Sequence, residues 1–202
     1  METKYKLTEE KIIFAGRVLH QIEACIAFVG VKVGDKGGWI ESERNLSQDG
    51  NAWVCGDAKV YDNAKVCGDA KVYGNAKVYG NAWVYGDAEV YGNAKVYGNA
   101  WVYGDAEVYG NAEVCGNAKV YGNADYIVFK NWWSSGRYFT WTRSNNRWKV
   151  GCFHGTGEEL VRKAYADSEK SGREYERVVK YVESILADES DIKQTKDNEQ
   201  KQ

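Results

Sequence analysis

Residues 81–98 read NAWVYGDAEVYGNAKVYG, and residues 99–116 read NAWVYGDAEVYGNAEVCG. The second stretch repeats the first with two changes, Lys95 to Glu113 and Tyr97 to Cys115. The finer beat is six: from Asn51 to Gly122 the chain runs through twelve hexads of Asn or Asp, Ala, a variable residue, Val, Tyr or Cys, and Gly. Glycine is replaced once, at Tyr61-Asp62. Alanine and valine stand two apart in each hexad, so in a strand they share one face, and the variable residue and the aromatic share the other. Turning the second set inward would bury Lys59, Lys65, Lys71 and Lys77 unpaired, at several kcal/mol each. Ala and Val therefore point inward. The Gly-Asn and Gly-Asp pairs are expected at corners, since these residues tolerate left-handed backbone angles.

Strands bent every six residues close after a whole number of sides, and three sides take eighteen. The corner residues sort by the same period. One corner reads Asn51, Asp69, Asp87, Asp105, Asn123; a second reads Asn63, Asn81, Asn99, Asn117; the third reads Asp57, Asn75, Asn93, Asn111. Six is one side and eighteen is one turn. The fold class is mainly β, a single-stranded triangular β-helix with 18 residues per coil. The hexad V-Y-G-N-A-K resembles the hexapeptide repeat of left-handed β-helix proteins, and that resemblance implies the left hand. The run GDKGGWIESERNLSQDGNAWV (34–54) resembles the amino-terminal cap of bacterial and prophage β-helix proteins often labelled transferases or polymer-forming proteins. Such labels carry fold, not activity. The expected organisation is a β cap at 1–44, the β-helix at 45–124, a small α+β module at 125–187 and a disordered polar tail at 188–202.

The outward residues give each side its own chemistry. The first carries Lys71, Glu89 and Glu107 beside the Asp69, Asp87, Asp105 corner and is acidic. The second carries Lys59, Lys77 and Lys95 with Tyr61, Tyr79 and Tyr97, basic and aromatic. The third carries Trp83 over Trp101 and Tyr85 over Tyr103, with Lys65 and Lys119 at the ends. Aromatic columns stack well on a β surface in their own right. Nine outward tyrosines and three tryptophans are also enough aromatic surface to expect an interface, with Trp83, Trp101, Tyr85, Tyr103, Asp87, Asp105, Glu89 and Glu107 as its candidates. Pairing an acidic side with a basic one between copies would close a homo-oligomer, with a trimer expected. Lys77, Lys95, Tyr79 and Tyr97 could hold phosphates and bases by charge and stacking; a solvated charged face is the plainer reading.

Composition and missing residues narrow the chemistry. With 27 basic and 29 acidic residues, the chain has no global attraction for duplex nucleic acid. Five cysteines without ligand spacing favour a reducing compartment, no apolar run reaches a bilayer span, and METKYKLTEEK lacks a signal-peptide core, so a cytoplasmic location is expected. Many hexapeptide-repeat proteins are acyltransferases with a histidine base and an inserted loop. Residues 51–124 hold no histidine, serine or threonine and no insertion, so no catalytic residue and no cofactor is expected. The lack of threonine also argues against ice binding. His20 falls on an alternating cap face and is expected to be packed. Cys55, Cys67 and Cys115 occupy the tyrosine position on three different sides. The aspartate corner offers too few oxygens per rung for a metal.

After Asp125 the composition changes. DYIVF (125–129) reads as a closing strand, YFTWTR and RWKVGCF as a hairpin, and two amphipathic helices follow, the first with Thr156 and Glu159 at capping-box spacing. This is a ββαα module with Trp132, Trp133, Trp141 and Trp148 expected in its core. The segment GCFHGTGEE (151–159) resembles a GCF-x-GT-x-E motif of phage and prophage proteins, which implies a bacterial host. Its strand-to-helix turn, His154, Gly155, Thr156 and Gly157, with Arg137, Arg143 and Lys149 in reach, could bind an anion through free backbone N–H groups. Alternatively, Thr156 caps its own helix. The functional expectation is a non-enzymatic binding scaffold that captures a small anionic ligand. The phage resemblance suggests a host nucleotide signal, or a host protein as partner. A purely structural spacer is the alternative.

Overall fold

The computed structural model describes residues 3–199, with side-chain surroundings through 189. From Trp53 to Val120 each hexad forms one two-residue strand. Strands eighteen residues apart pair in parallel, with Lys71 against Glu89, Lys77 against Lys95 and Trp83 against Trp101. Three parallel sheets result, one per side, and the chain is a β-solenoid of about five coils with a helical pair after it. Every lattice alanine and valine from Ala52 to Val120 is at most 1 % exposed. The interior is narrow, and these two small side chains fill it.

The corners differ in one respect from the sequence expectation. Only their glycines take left-handed angles, for example Gly86 at φ 74°. A side chain on Gly86 would also begin 3.0 Å from the Gly104 nitrogen of the next coil, so glycine is required twice over. The neighbouring asparagines stay outside that region and spend their amides on a ladder instead. Asn63 donates to Asn81 at 3.1 Å, Asn81 to Asn99 at 3.0 Å and Asn99 to Asn117 at 3.1 Å. The one lattice break, Asp62, keeps the left-handed angle at φ 62°. Its carboxylate accepts the Gly80 N–H at 3.1 Å and pairs with Arg17, which offsets the strain.

Between coils the backbone forms parallel ladders: N–H groups such as those of Trp53 and Cys67 reach carbonyls seventeen residues on, Ala70 at 3.0 Å and Val84 at 3.0 Å, while strand carbonyls accept from N–H groups of the next coil. Each end of the stack therefore presents both carbonyls and N–H groups that no further coil meets. The amino-terminal cap supplies donors to all three sides. The Lys4 ammonium reaches the Ala52 carbonyl at 3.0 Å and that of Gly50 at 3.2 Å; Trp39 N–H reaches Ala58 at 2.9 Å; the Asn45 amide reaches Ala64 at 2.9 Å. Lys4 is 2 % exposed, and this burial pulls its pKa down to about 8 against the pull of Asp49 and Asp69. The cap itself is a hairpin of strands Tyr5–Phe14 and Arg17–Ala24, joined to Lys36–Ile40, which pairs in parallel with Lys59–Val60. One sheet thus runs unbroken from the cap into the second side. His20 is half-buried, its Nδ1 3.3 Å from the Thr8 carbonyl.

At the other end the last coil meets both kinds of partner: the Tyr126 hydroxyl donates to the Glu107 carbonyl at 2.9 Å, and acceptors face N–H groups on all three sides. Asn123 Oδ1 accepts from Glu107 N–H at 2.8 Å on the first side, Thr140 Oγ1 from Glu113 N–H at 2.9 Å on the second, and Ser144 Oγ from Lys119 N–H at 2.6 Å on the third. The module holds four strands, not the expected hairpin: Tyr126–Lys130, Tyr138–Thr142, Arg147–Val150 and Phe153–Gly155 form one antiparallel sheet. DYIVF does not close the solenoid but pairs with Tyr138–Thr142, and Gly151 at φ 53° turns RWKVGCF into two strands. The strand Tyr138–Thr142 alternates: Phe139 and Trp141 pack toward helices α1 (Gly157–Asp167) and α2 (Glu169–Glu199), while Thr140 faces the solenoid end. Trp141 and Trp148 are core, whereas Trp132 is 79 % exposed. The stretch expected to be disordered from 188 is helical through Glu199 and holds no glycine or proline to end the helix; residues 200–202 of that expectation lie outside the described residues.

Replacing Lys4 with Met keeps the aliphatic stem and strands the carbonyls of Gly50 and Ala52. The expected loss is ~1–3 kcal/mol, read by urea unfolding.

Candidate functional site

The second side is where the sequence-nominated residues converge. Its tyrosines stack face to face, Tyr61 to Tyr79 at 5.0 Å and Tyr79 to Tyr97 at 4.8 Å, and Cys115 follows in the column. Burial, the first cause, pushes the Tyr79 and Tyr97 hydroxyls well above their usual range. They are packed, neutral side chains. Beside them Lys95 pairs with Glu113 at 2.8 Å, and Glu113 lies 3.9 Å from Lys149. Lys77 rides over the Phe14 ring at 5.4 Å. Among the described residues neither Lys77 nor Arg137 has a carboxylate within ion-pair distance. Arg137 comes from the module, and with Lys77, Lys95, Glu113, Asn111 and Tyr138 it lines a cleft of about 400 Å³. The local charge is positive, because one carboxylate faces three lining cations.

The strand-to-helix turn resolves differently. Thr156 Oγ1 accepts the Glu159 N–H at 3.2 Å, and the Glu159 carboxylate accepts the Thr156 N–H at 2.8 Å. This reciprocal box takes up two of the backbone donors an anion would use, those of Thr156 and Glu159, and sets the Glu159 carboxylate beside the turn. Gly157 packs tightly on Val179 and Trp148, and Gly155 is buried. His154 covers the Gly116 corner of the solenoid, where a side chain on Gly116 would begin 2.7 Å from its ring. Burial lowers the His154 pKa, and the Lys149 and Arg147 cations lower it further. Arg143 stands elsewhere, in a two-pronged pair with Glu189 at 2.5 and 3.1 Å. Lys149 turns back to the Gly151 carbonyl. Of the residues grouped around the turn by sequence, only Arg137 joins the cleft.

The other two sides satisfy themselves. On the first, Lys71 pairs with Glu89 at 3.2 Å, and the hydroxyls of Tyr73 and Tyr91 donate to Glu89 and Glu107, each at 2.8 Å. Asp87 and Asp105 remain exposed on the corner. On the third, Trp83 and Trp101 stack at 6.0 Å, with Lys65 over Trp83 at 4.9 Å and Lys119 over Trp101 at 5.2 Å. Both outer ring faces of the pair thus carry an ammonium. Tyr85 and Tyr103 stack alongside at 5.1 Å. The aromatic wall, with its lysines at the ends as expected, is a cation–aromatic column in which Trp83 and Trp101 are 37 % and 38 % exposed.

Sequence reasoning missed Tyr138, Asn111, Glu113 and Phe14. None carries a signature on its own, and their role follows from how the module sits on the last coil. Among the described residues no cluster of three or more His, Cys, Asp or Glu could hold a metal, and no helix is long and apolar enough to cross a membrane.

The comparisons agree with the lattice. The family model described as the YdcK Beta solenoid repeat matches residues 70–86 and 88–104, two successive turns of the central coils. The chain is similar to that repeat over those turns. The comparison with curated proteins finds no match.

Because the turn is self-capped, Thr156→Ala should cost about 1 kcal/mol of stability in thermal or urea unfolding and leave anion affinity unchanged.

Proposed function

We propose a structural or scaffold role, which a β-solenoid repeat protein fits. We propose that this scaffold is a non-enzymatic binding protein that captures a small anionic ligand, of the phosphate-bearing class, between its basic side and its carboxy-terminal module. The observation that carries this reading is the convergence of Lys77, Lys95 and Arg137 on one cleft, although Arg137 lies sixty residues beyond Lys77 and on a separate module. Arg offers a planar two-pronged donor and Lys a mobile point charge, a combination suited to phosphate oxygens. Lys77, Lys95 and Glu113 stand on stacked strands of the solenoid, so little ordering cost remains on that wall at binding. The resemblance of the carboxy-terminal segment to phage proteins makes sequestration of a host nucleotide signal, in a bacterial cytoplasm, the biological setting that this reading favours.

Self-association belongs to the same reading. The ring edges of Trp83 and Trp101 and the acidic corner of Asp87 and Asp105 are the surfaces it would use, with a trimer expected. Sedimentation at micromolar concentration should show a species larger than the monomer, and a monomer alone would remove this element. The structural-spacer reading draws support from the internal pairing of the first and third sides, which leaves them little unmet chemistry.

Titration with inorganic pyrophosphate by calorimetry tests capture. Lys77→Ala and Arg137→Ala should each weaken binding about tenfold, and raising the salt should weaken it further. Absence of binding by the unaltered protein would leave the spacer.

A further inference from the structure

The three tyrosine columns end in three different ways. The column Tyr61, Tyr79, Tyr97 is followed by Cys115, which interacts with the Tyr97 hydroxyl. The column Tyr85, Tyr103 is closed edge-on by Tyr121, at 5.1 Å and 68°. The third column runs Tyr73, Tyr91, Tyr109, at 4.9 and 5.3 Å and within 11° of parallel, and then the lattice stops. One turn further on the chain has Ile127 instead of an aromatic. Among the described residues Tyr109 stacks on Tyr91 alone, and Tyr109 is 49 % exposed.

The end of this column opens into a cleft of about 490 Å³ lined by Tyr109, Gly110, Asn111, Ile127, Val128 and Tyr138. Nothing lies within 4 Å of where a side chain on Gly110 would begin, so the approach is open. Asn111 and Tyr138 also line the cationic cleft, and the two volumes are therefore neighbours that share a wall. One half is positively charged. The other has an apolar floor, two exposed tyrosines and the amide of Asn111 at its margin. A flat ring laid on Tyr109 would continue a stack whose spacing the protein already sets, at the position where Ile127 supplies no ring of its own.

We propose that this second cleft is a ring subsite, so that the two together take a nucleotide: the phosphates against Lys77 and Arg137, the base on the free face of Tyr109. This inference rests on the anion-capture reading above and adds a ligand half that a phosphate site does not require. Asn111, at the junction, is placed to donate to or accept from the sugar or the base edge.

Calorimetry with ADP and with inorganic pyrophosphate separates the two claims. ADP should bind about tenfold or more tightly than pyrophosphate. Tyr109→Leu should abolish that advantage and leave pyrophosphate affinity unchanged, whereas Tyr109→Phe should retain it. Circular dichroism and the unfolding midpoint of each variant establish that the coils are intact. Equal affinity for ADP and pyrophosphate, or an ADP advantage that survives Tyr109→Leu, overturns the ring subsite while anion capture stands. Failure of both ligands to bind overturns both.

Discussion

The coils are joined by parallel ladders in which N–H groups and carbonyls both reach the neighbouring coil, so each end of the solenoid leaves donors and acceptors with no further coil to meet. A cap at either end must answer that edge on all three sides. At the amino-terminal face the carbonyls receive the Lys4 ammonium, the Asn45 amide and the backbone N–H groups of Trp39, Glu41 and Ser47. At the carboxy-terminal face the N–H groups meet a carboxamide oxygen and two hydroxyls from Asn123, Thr140 and Ser144, and the Glu107 carbonyl accepts the Tyr126 hydroxyl. Each end draws partners on all three sides, so the triangular section of the solenoid dictates the arrangement of both modules. An unmet backbone group at either face would act as an open sheet edge, and the caps remove that hazard.

Docking by hydroxyl acceptors also fixes where the module sits. Thr140 sits over the second side because Glu113 N–H has no later coil to bond, and the same strand carries Tyr138, with Arg137 just before it. The cleft with Lys77 and Lys95 is a by-product of that docking. Stability and site are coupled here through a single strand whose alternate residues serve the helical core, the solenoid end and the cleft margin.

Much of the solenoid was legible in the sequence because its information is periodic. The inward set, the eighteen-residue turn, the stacked tyrosines and the asparagine corner repeat along the chain, and each repetition carries the same message as the last. The ends hold no such redundancy. Lys4 and Ala52 are 48 residues apart, and Thr140 and Glu113 are 27 apart, with nothing local to announce either contact. The grouping of Arg143 with the turn failed for the same reason, since Glu189 claims it from a distant helix. The capping box of Thr156 and Glu159 was legible because both partners lie within one helical turn. The helix beyond 188 was missed because polarity was taken for disorder, although the segment contains no residue that breaks a helix.

The near-identity of residues 81–98 and 99–116 gives the solenoid the character of a ruler marked in whole turns. Adding or removing one such unit would shift the carboxy-terminal module along the axis by about 4.8 Å and return it to the same compass bearing. A single hexad would instead swing it by a third of a revolution and seat Thr140 above a different sheet. Length can thus be traded freely in eighteens, while bearing, and with it the meeting of Arg137 with the lysine side, tolerates no smaller increment.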